Sequence, residues 1–255
     1  MTMQLELKQA TKQINNGTQD EKTLLDHVDF QVHAGEFVTI LGGNGAGKST
    51  LFNTISGNLA LTSGKVLIKG HDVTHEPEEK RARFLARVFQ DPKLGTAPRM
   101  TVAENLLLAQ FRGKKRPFKL RRLASQKEHF YAMCQEVGNG LEQHLDTPTG
   151  HLSGGQRQAL SLLMATLTTP DLLLLDEHTA ALDPKTSKSL MALTEKKVRE
   201  QQLTCLMITH RMEDALQYGN RLIVLEKGKI VRDFNQKEKE ALTLLDLLSF
   251  FEASY

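Results

Sequence analysis

The stretch LGGNGAGKST, residues 41–50, constrains this chain more than any other. It follows the apolar run EFVTIL and precedes TLFNTIS, so strand, glycine loop and helix are expected in that order over residues 36–57, with Gly57 closing the helix. Gly42, Gly43, Asn44, Gly45, Ala46, Gly47, Lys48, Ser49 and Thr50 fit the phosphate-loop spacing G-x-x-x-x-G-K-S. Glycines let backbone N–H groups turn inward around phosphate oxygens, and the helix that follows points its positive end at the same anion. Lys48 suits the β- and γ-phosphates, and the Ser49 hydroxyl suits Mg²⁺. A lysine–phosphate pair at ~4 Å and an effective dielectric of ~20 is worth roughly 4 kcal/mol before desolvation. A glycine turn that merely joins strand to helix would not need Lys48-Ser49 at this spacing. The loop by itself names no reaction.

The rest of the chain alternates in a way that suits an α/β fold. LELKQA and HVDFQV read as strands near the N-terminus, and GKVLIKG and ARVFQ as further short strands. From residue 91 to about residue 169 the pattern turns helical, with a capping box at Thr101-Val-Ala-Glu104. DLLLLDE (171–177) and LTCLMITH (203–210) are continuous apolar runs, the pattern of a parallel sheet buried on both faces. RLIVLEKGKIV reads as a hairpin turning at 227–229, and EKEALTLLDLLSFFEAS as one amphipathic helix. The organisation predicted is an α/β core over 1–90 and 170–232 with an N-terminal β part, a helical insert over 91–169, and a helical tail over 233–255. Asp176 and Glu177 end a buried strand, where ligands bind in open α/β sheets. Asp176 suits Mg²⁺ through water, and Glu177 suits polarising an attacking water.

Composition narrows the partners. A net charge of +3 over 255 residues does not call for nucleic acid. The basic run FRGKKRPFKLRR, 111–122, reads as a solvated loop, with contact to lipid headgroups or a membrane partner as the sharper alternative. Cys134 and Cys205 show no metal spacing, and Cys205 sits in an apolar run as a core thiol, so a reducing cytoplasm is expected. The first residues carry no apolar leader, and no stretch approaches the ~20 apolar residues of a membrane span. Any spanning part is expected on another chain.

HLSGGQRQAL, 151–160, poses a separate problem. Ser153 and Gln156 form a capping box, but Gly154 and Gly155 each cost ~1 kcal/mol against alanine in a helix. Absent side chains there would let backbone N–H groups reach a second anion.

Six motifs occur in one order: GGNGAGKST, Gln90 in VFQDP, LSGGQ at 152–156, LLLLDE at 172–177, Leu182-Asp183 in AALDP, and His210 in ITHR. Together they resemble the nucleotide-binding subunit of an ABC transporter, over nearly the whole chain. The resemblance implies a P-loop NTPase (RecA-like) α/β core with an antiparallel β subdomain and an inserted α-helical subdomain. It implies ATP with Mg²⁺, and a head-to-tail dimer, homodimeric or with a similar subunit, that closes Ser153, Gly154, Gly155 and Gln156 of one chain over ATP held by the other. Gln90 resembles the residue that touches Mg²⁺ and senses the membrane partner, Asp183 the aspartate that crosses to the other subunit, and His210 the switch histidine at the γ-phosphate.

Ile14 aligns where such proteins usually stack adenine on an aromatic ring, which implies weaker ATP affinity or looser base selectivity. His178 stands where proline is usual and is expected to be a neutral surface residue. MTVAENLLLAQ resembles ATPases of amino-acid uptake systems. The resemblance therefore implies an importer ATPase for an amino-acid-like solute, at the cytoplasmic face of a membrane, with permease subunits and a separate solute-binding protein. An exporter or lipoprotein-release ATPase, or a soluble ABC ATPase, suits the same motifs.

Overall fold

The computed structural model describes residues 2–15, 17, 20–114 and 123–252. The chain forms two compact units, Met1–Arg81 with Leu203–Tyr255, and Ala82–Gln202. Most of the basic run, residues 115–122, lies outside the described residues.

The first unit begins with β1 (Met3–Ile14) and β2 (Lys22–His33), antiparallel partners whose alternating apolar residues face one side. The β1 ladder is bulged around Gln9, which has φ 47°. β3 (Phe37–Leu41) is buried at all five positions, and its one hydroxyl, on Thr39, donates to the Ala215 carbonyl at 3.1 Å. α1 (Lys48–Ser56) ends at Gly57, φ 90°, whose N–H donates to Asn53 O. β4 (Ser63–Ile68) and β5 (His71–Asp72) complete an antiparallel sheet in the order β2-β1-β4-β5. α2 (Glu78–Arg81) delivers Arg81 into the core, only 2% exposed. Its guanidinium donates to the carbonyls of Thr54, Ile55, Thr74 and Glu76 at 2.6–3.0 Å. A buried charge is tolerable there because four carbonyl dipoles, two from the end of α1, face it.

The second unit holds β6 (Leu85–Val88), α3 (Val102–Ala109), α4 (Lys127–Gln135), α5 (Gly154–Leu167), β7 (Leu172–Asp176) and α6 (Pro184–Glu200). β6 and β7 are parallel, with Leu85 opposite Leu172 and Val88 opposite Leu175. Val102, Leu106, Phe130, Leu141, Leu160 and Leu163 form a helical core of their own. The expected capping box starts α3: Thr101 N–H donates to Glu104 Oε2 at 2.9 Å, and Glu104 N–H to Thr101 Oγ1 at 3.2 Å. Cys134 is buried in this core.

The chain returns to the first unit with β8 (Cys205–Ile208), α7 (Met212–Gln217), β9 (Arg221–Glu226), β10 (Lys229–Phe234), α8 (Gln236–Glu240) and α9 (Leu244–Glu252). β9, β3 and β8 run parallel side by side, and β10 pairs antiparallel with β9. Cys205 is fully buried, as its apolar run predicts. The hairpin turns at Lys227 and Gly228, both at positive φ, the two-residue type that matches strand twist.

The tail differs from the single helix expected. Asn235 caps α8 in a box with Glu238, and a second local cap begins at Thr243, whose N–H and hydroxyl donate to Asp246. Two start signals within ten residues divide the segment. Leu247 packs with Leu41, Ala215, Leu222 and Val224, while the Lys239 ammonium donates to the carbonyls of Tyr218 and Gly219 at the end of α7.

Candidate functional site

The glycine loop leaves β3 and enters α1. Gly47 is at φ 104° and caps α1 with no side-chain hydrogen bond to the first helical N–H groups. Two glycines are demanded by the protein itself. A Cβ on Gly42 would lie 2.4 Å from the Leu225 carbonyl oxygen, and one on Gly47 would lie 2.7 Å from that of Leu24. The turn after β9 braces the loop, since Gly228 N–H donates to Ala46 O at 2.9 Å and Asp26 N–H to Gly228 O at 3.0 Å. Gly43 is different: a Cβ there meets no protein atom within 4 Å, and its φ is not in the left-handed region. Nothing in the fold requires glycine at 43, so its openness serves whatever approaches the loop. Lys48 folds back over the loop, its ammonium donating to Gly42 O at 2.6 Å and Gly43 O at 3.0 Å. Asn44 and Ser49 are exposed and Thr50 is half-buried.

Two distant candidates come to the same edge of this unit. β3 and β8 are parallel neighbours with Ile40 opposite Ile208, so His210 emerges beside the loop. Thr209 N–H donates to Ile40 O at 3.3 Å and its hydroxyl accepts from Arg211 N–H at 3.1 Å, which leaves His210 exposed at the strand end. Ile14 ends β1 opposite Lys22 and is 38% exposed. Leu24, which braces Gly47, is two residues further along β2, ~7 Å away.

In the second unit the ends of β6 and β7 coincide. Val88 faces Leu175, so Gln90, exposed just past β6, stands level with Asp176 and Glu177. Glu177 has φ 44°, a left-handed conformation that costs a non-glycine residue of order 1 kcal/mol or more and marks functional turns. Asp176 is engaged: its Oδ2 accepts from Arg87 Nη2 at 2.5 Å, with the two side chains 14% and 8% exposed. Reading the sequence for motifs missed Arg87, although it lies on β6 only three positions before Gln90.

The LSGGQ segment opens α5 with both capping-box bonds formed, Gln156 N–H to Ser153 Oγ and Ser153 N–H to Gln156 Oε1, each 3.2 Å. Its two glycines have different causes. A Cβ on Gly155 would lie 2.6 Å from Thr186 Cγ2, so α6 packs where that side chain would be. A Cβ on Gly154 meets nothing, and Gly154 is exposed. Gly154 alone has no reason in the fold. Asp183 caps α6, accepting from Lys185 N–H and Thr186 N–H at 3.1 Å, and a hydrogen bond from the Thr186 side chain together with these N–H groups holds its carboxyl below the usual carboxylate range. Ser153, Gly154, Gly155, Gln156, Asp183 and Thr186 line one cleft of about 400 Å³.

His178 is not at the surface. It is 2% exposed, and its Nε2 lies 3.1 Å from Thr194 Oγ1. Thr194 spends its own proton on Leu190 O at 2.8 Å, so His178 carries the Nε2 hydrogen and donates it. Burial pushes its pKa down to about 4, which keeps the ring neutral as expected but for the opposite reason, desolvation.

A family profile described as "ABC transporter" matches residues 25–180. The chain belongs to the ABC transporter family. It is 47% identical over 250 residues to the "Tyrosine transport ATP-binding protein" of Clostridioides difficile (strain R20291), spanning 97% of this chain and 98% of that one. It is 34% identical to the "Methionine import ATP-binding protein MetN" of Corynebacterium glutamicum, covering 89% of this chain and 61% of the relative. Among solved structures it is similar to a dimeric ATP-binding cassette in a post-hydrolysis state bound to ADP and Pi, with TM-score 0.78 and 28% identity over 91% of this chain and 98% of that one. This ABC chain is therefore an ATP-binding ATPase, and the P-loop NTPase fold expected from its motifs is the fold observed. Among the described residues no helix is long and apolar enough to cross a membrane.

Proposed function

We propose that this ABC ATPase powers uptake of an amino-acid-like solute through a separate membrane permease. The observation that carries the substrate class is near end-to-end similarity to a tyrosine transport ATP-binding protein. A methionine import protein among the relatives supports the direction.

The residues divide the work as follows. The loop from Gly42 to Thr50 holds the phosphates, with the Lys48 ammonium exchanging its two carbonyl partners for phosphate oxygens. Ser49, Asp176 and Gln90 are assigned to Mg²⁺. Among the described residues no cluster of three His, Cys, Asp or Glu side chains could hold a metal. One hydroxyl and one carboxylate, completed by phosphate oxygens and water, suit Mg²⁺ well. When bound, Mg²⁺ neutralises charge on the transferred phosphoryl group. Glu177 orients and deprotonates the attacking water, and His210 donates to the γ-phosphate. Ile14 takes the adenine face in place of an aromatic ring.

A second copy is needed for closure. The cleft at Gly154 and Asp183 has open glycine backbone at a helix start and no protein group that requires it, which supports docking on ATP held by the partner chain. Closure of the dimer turns the permease, hydrolysis reopens it, and Gln90 transmits the change from the cytoplasmic face. A separate solute-binding protein delivers the solute.

Uptake of labelled tyrosine by cells lacking this chain tests the reading. Uptake should fall and be restored by the native chain but not by Glu177→Gln. Unchanged uptake with altered efflux would favour the exporter alternative.

A further inference from the structure

The Arg87–Asp176 pair lies at the end of β7, in the group of residues assigned above to Mg²⁺. Both side chains are nearly buried and the contact is 2.5 Å. The same guanidinium stands 4.8 Å from the centroid of the Phe89 ring, and the Phe89 carbonyl accepts from Gln158 Nε2 at 2.9 Å. Arg87 therefore meets both a carboxylate and an aromatic face, and Phe89 immediately precedes Gln90. A nearly buried carboxylate needs a counter-charge. Here the chain supplies that charge itself.

We propose that Arg87 is the resident counter-ion of Asp176 and sets the Mg²⁺ requirement of the ATPase by competing for that carboxylate. The inference rests on the reading of Asp176 as a metal-side residue. A guanidinium holding Oδ2 satisfies the charge that a divalent cation would satisfy, and it repels that cation at short range. As the pair loosens, the guanidinium keeps the Phe89 face, where a cation remains favourable. The state of Asp176 is thereby passed to the residue before Gln90, the residue assigned above to the permease.

The experiment uses the purified full-length chain with a non-hydrolysable ATP analogue. The free Mg²⁺ giving half of the full thermal stabilisation is measured for each variant. Arg87→Gln should lower that concentration roughly tenfold, and Arg87→Lys should leave it within about twofold of the native value. An unchanged requirement in Arg87→Gln would make the pair merely structural, and a raised one would make Arg87 a positioning residue; either overturns competition. Asp176→Asn separates the two readings. If it leaves the Mg²⁺ requirement untouched, the metal assignment of Asp176 fails, whatever Arg87 does. A crystal structure of the native chain with Mg²⁺ and the analogue needs no variant to fold. The Arg87–Asp176 separation should exceed salt-bridge range there, and an intact contact beside bound metal would contradict the proposal.

Discussion

Glu177 shows what one residue at a strand end can reveal. Its φ of 44° is carried by no glycine or asparagine, so the turn after β7 holds a side chain in place at an energetic cost. Glu177→Gln keeps shape and removes the base. Phosphate release should fall about 10²- to 10⁴-fold while ATP affinity stays close to native, as read by equilibrium nucleotide binding. At Ile14 the expectation runs the other way. Ile14→Tyr should tighten ATP binding roughly tenfold and widen its margin over GTP, because an aromatic face stacks on a base for ~1–3 kcal/mol. Equal affinities for the two proteins would remove Ile14 from the site. The candidate site residues could be nominated one by one because phosphate and metal chemistry demand particular side chains at particular spacings. Arg87 and Arg81 were not legible. Each is a common surface residue type whose burial depends on partners far along the chain, Asp176 for one and the carbonyls ending α1 for the other.

At the scale of elements, the start of α5 separates packing from function. Gly155→Ala should destabilise the protein by about 1–3 kcal/mol in urea unfolding, since the new methyl meets Thr186 Cγ2. Thr186→Ser, which deletes that methyl, should restore most of the loss. Gly154→Ala should be neutral or stabilising by up to ~1 kcal/mol, yet lower ATP turnover. If Gly154→Ala hydrolyses ATP normally, open backbone at that position has no catalytic use. Sequence reasoning placed this helix and its cap correctly but gave both glycines one cause. Only the packing of α6 distinguishes them.

The contact of His178 with α6 yields a pH prediction. The folded-state pKa, about 4, lies below the 6.5 of an unperturbed histidine. Between these values the unfolded chain binds a proton that the folded chain refuses. Stability is therefore full above pH ~6.5 and falls as the pH drops toward 4, by on the order of 3 kcal/mol. Denaturant unfolding across that window should show a steeper slope for the native chain than for His178→Gln, and equal slopes would show that the ring is not buried neutral. The surface position expected for His178 failed because a strand-end residue beside a glutamate gives no local sign that α6 covers it.

For the whole molecule, most of the architecture could be read in advance. Strand runs that are apolar throughout, a phosphate loop between strand and helix, and a helical stretch before the strand that ends at Asp176 are local signals with definite periods. The tail was misread as one helix because its amphipathic period continues across the break, whereas Asn235 and Thr243 start new helices by local hydrogen bonds. The function proposed at this scale calls for a second chain and a membrane partner. The most direct test of that account is capture. Glu177→Gln, expressed in the native host and held with ATP and Mg²⁺, should retain its partners through purification from solubilised membranes. An integral membrane protein, with a solute-binding protein alongside, is the predicted recovery; soluble partners alone, under conditions where the ATP-bound dimer survives, would contradict it.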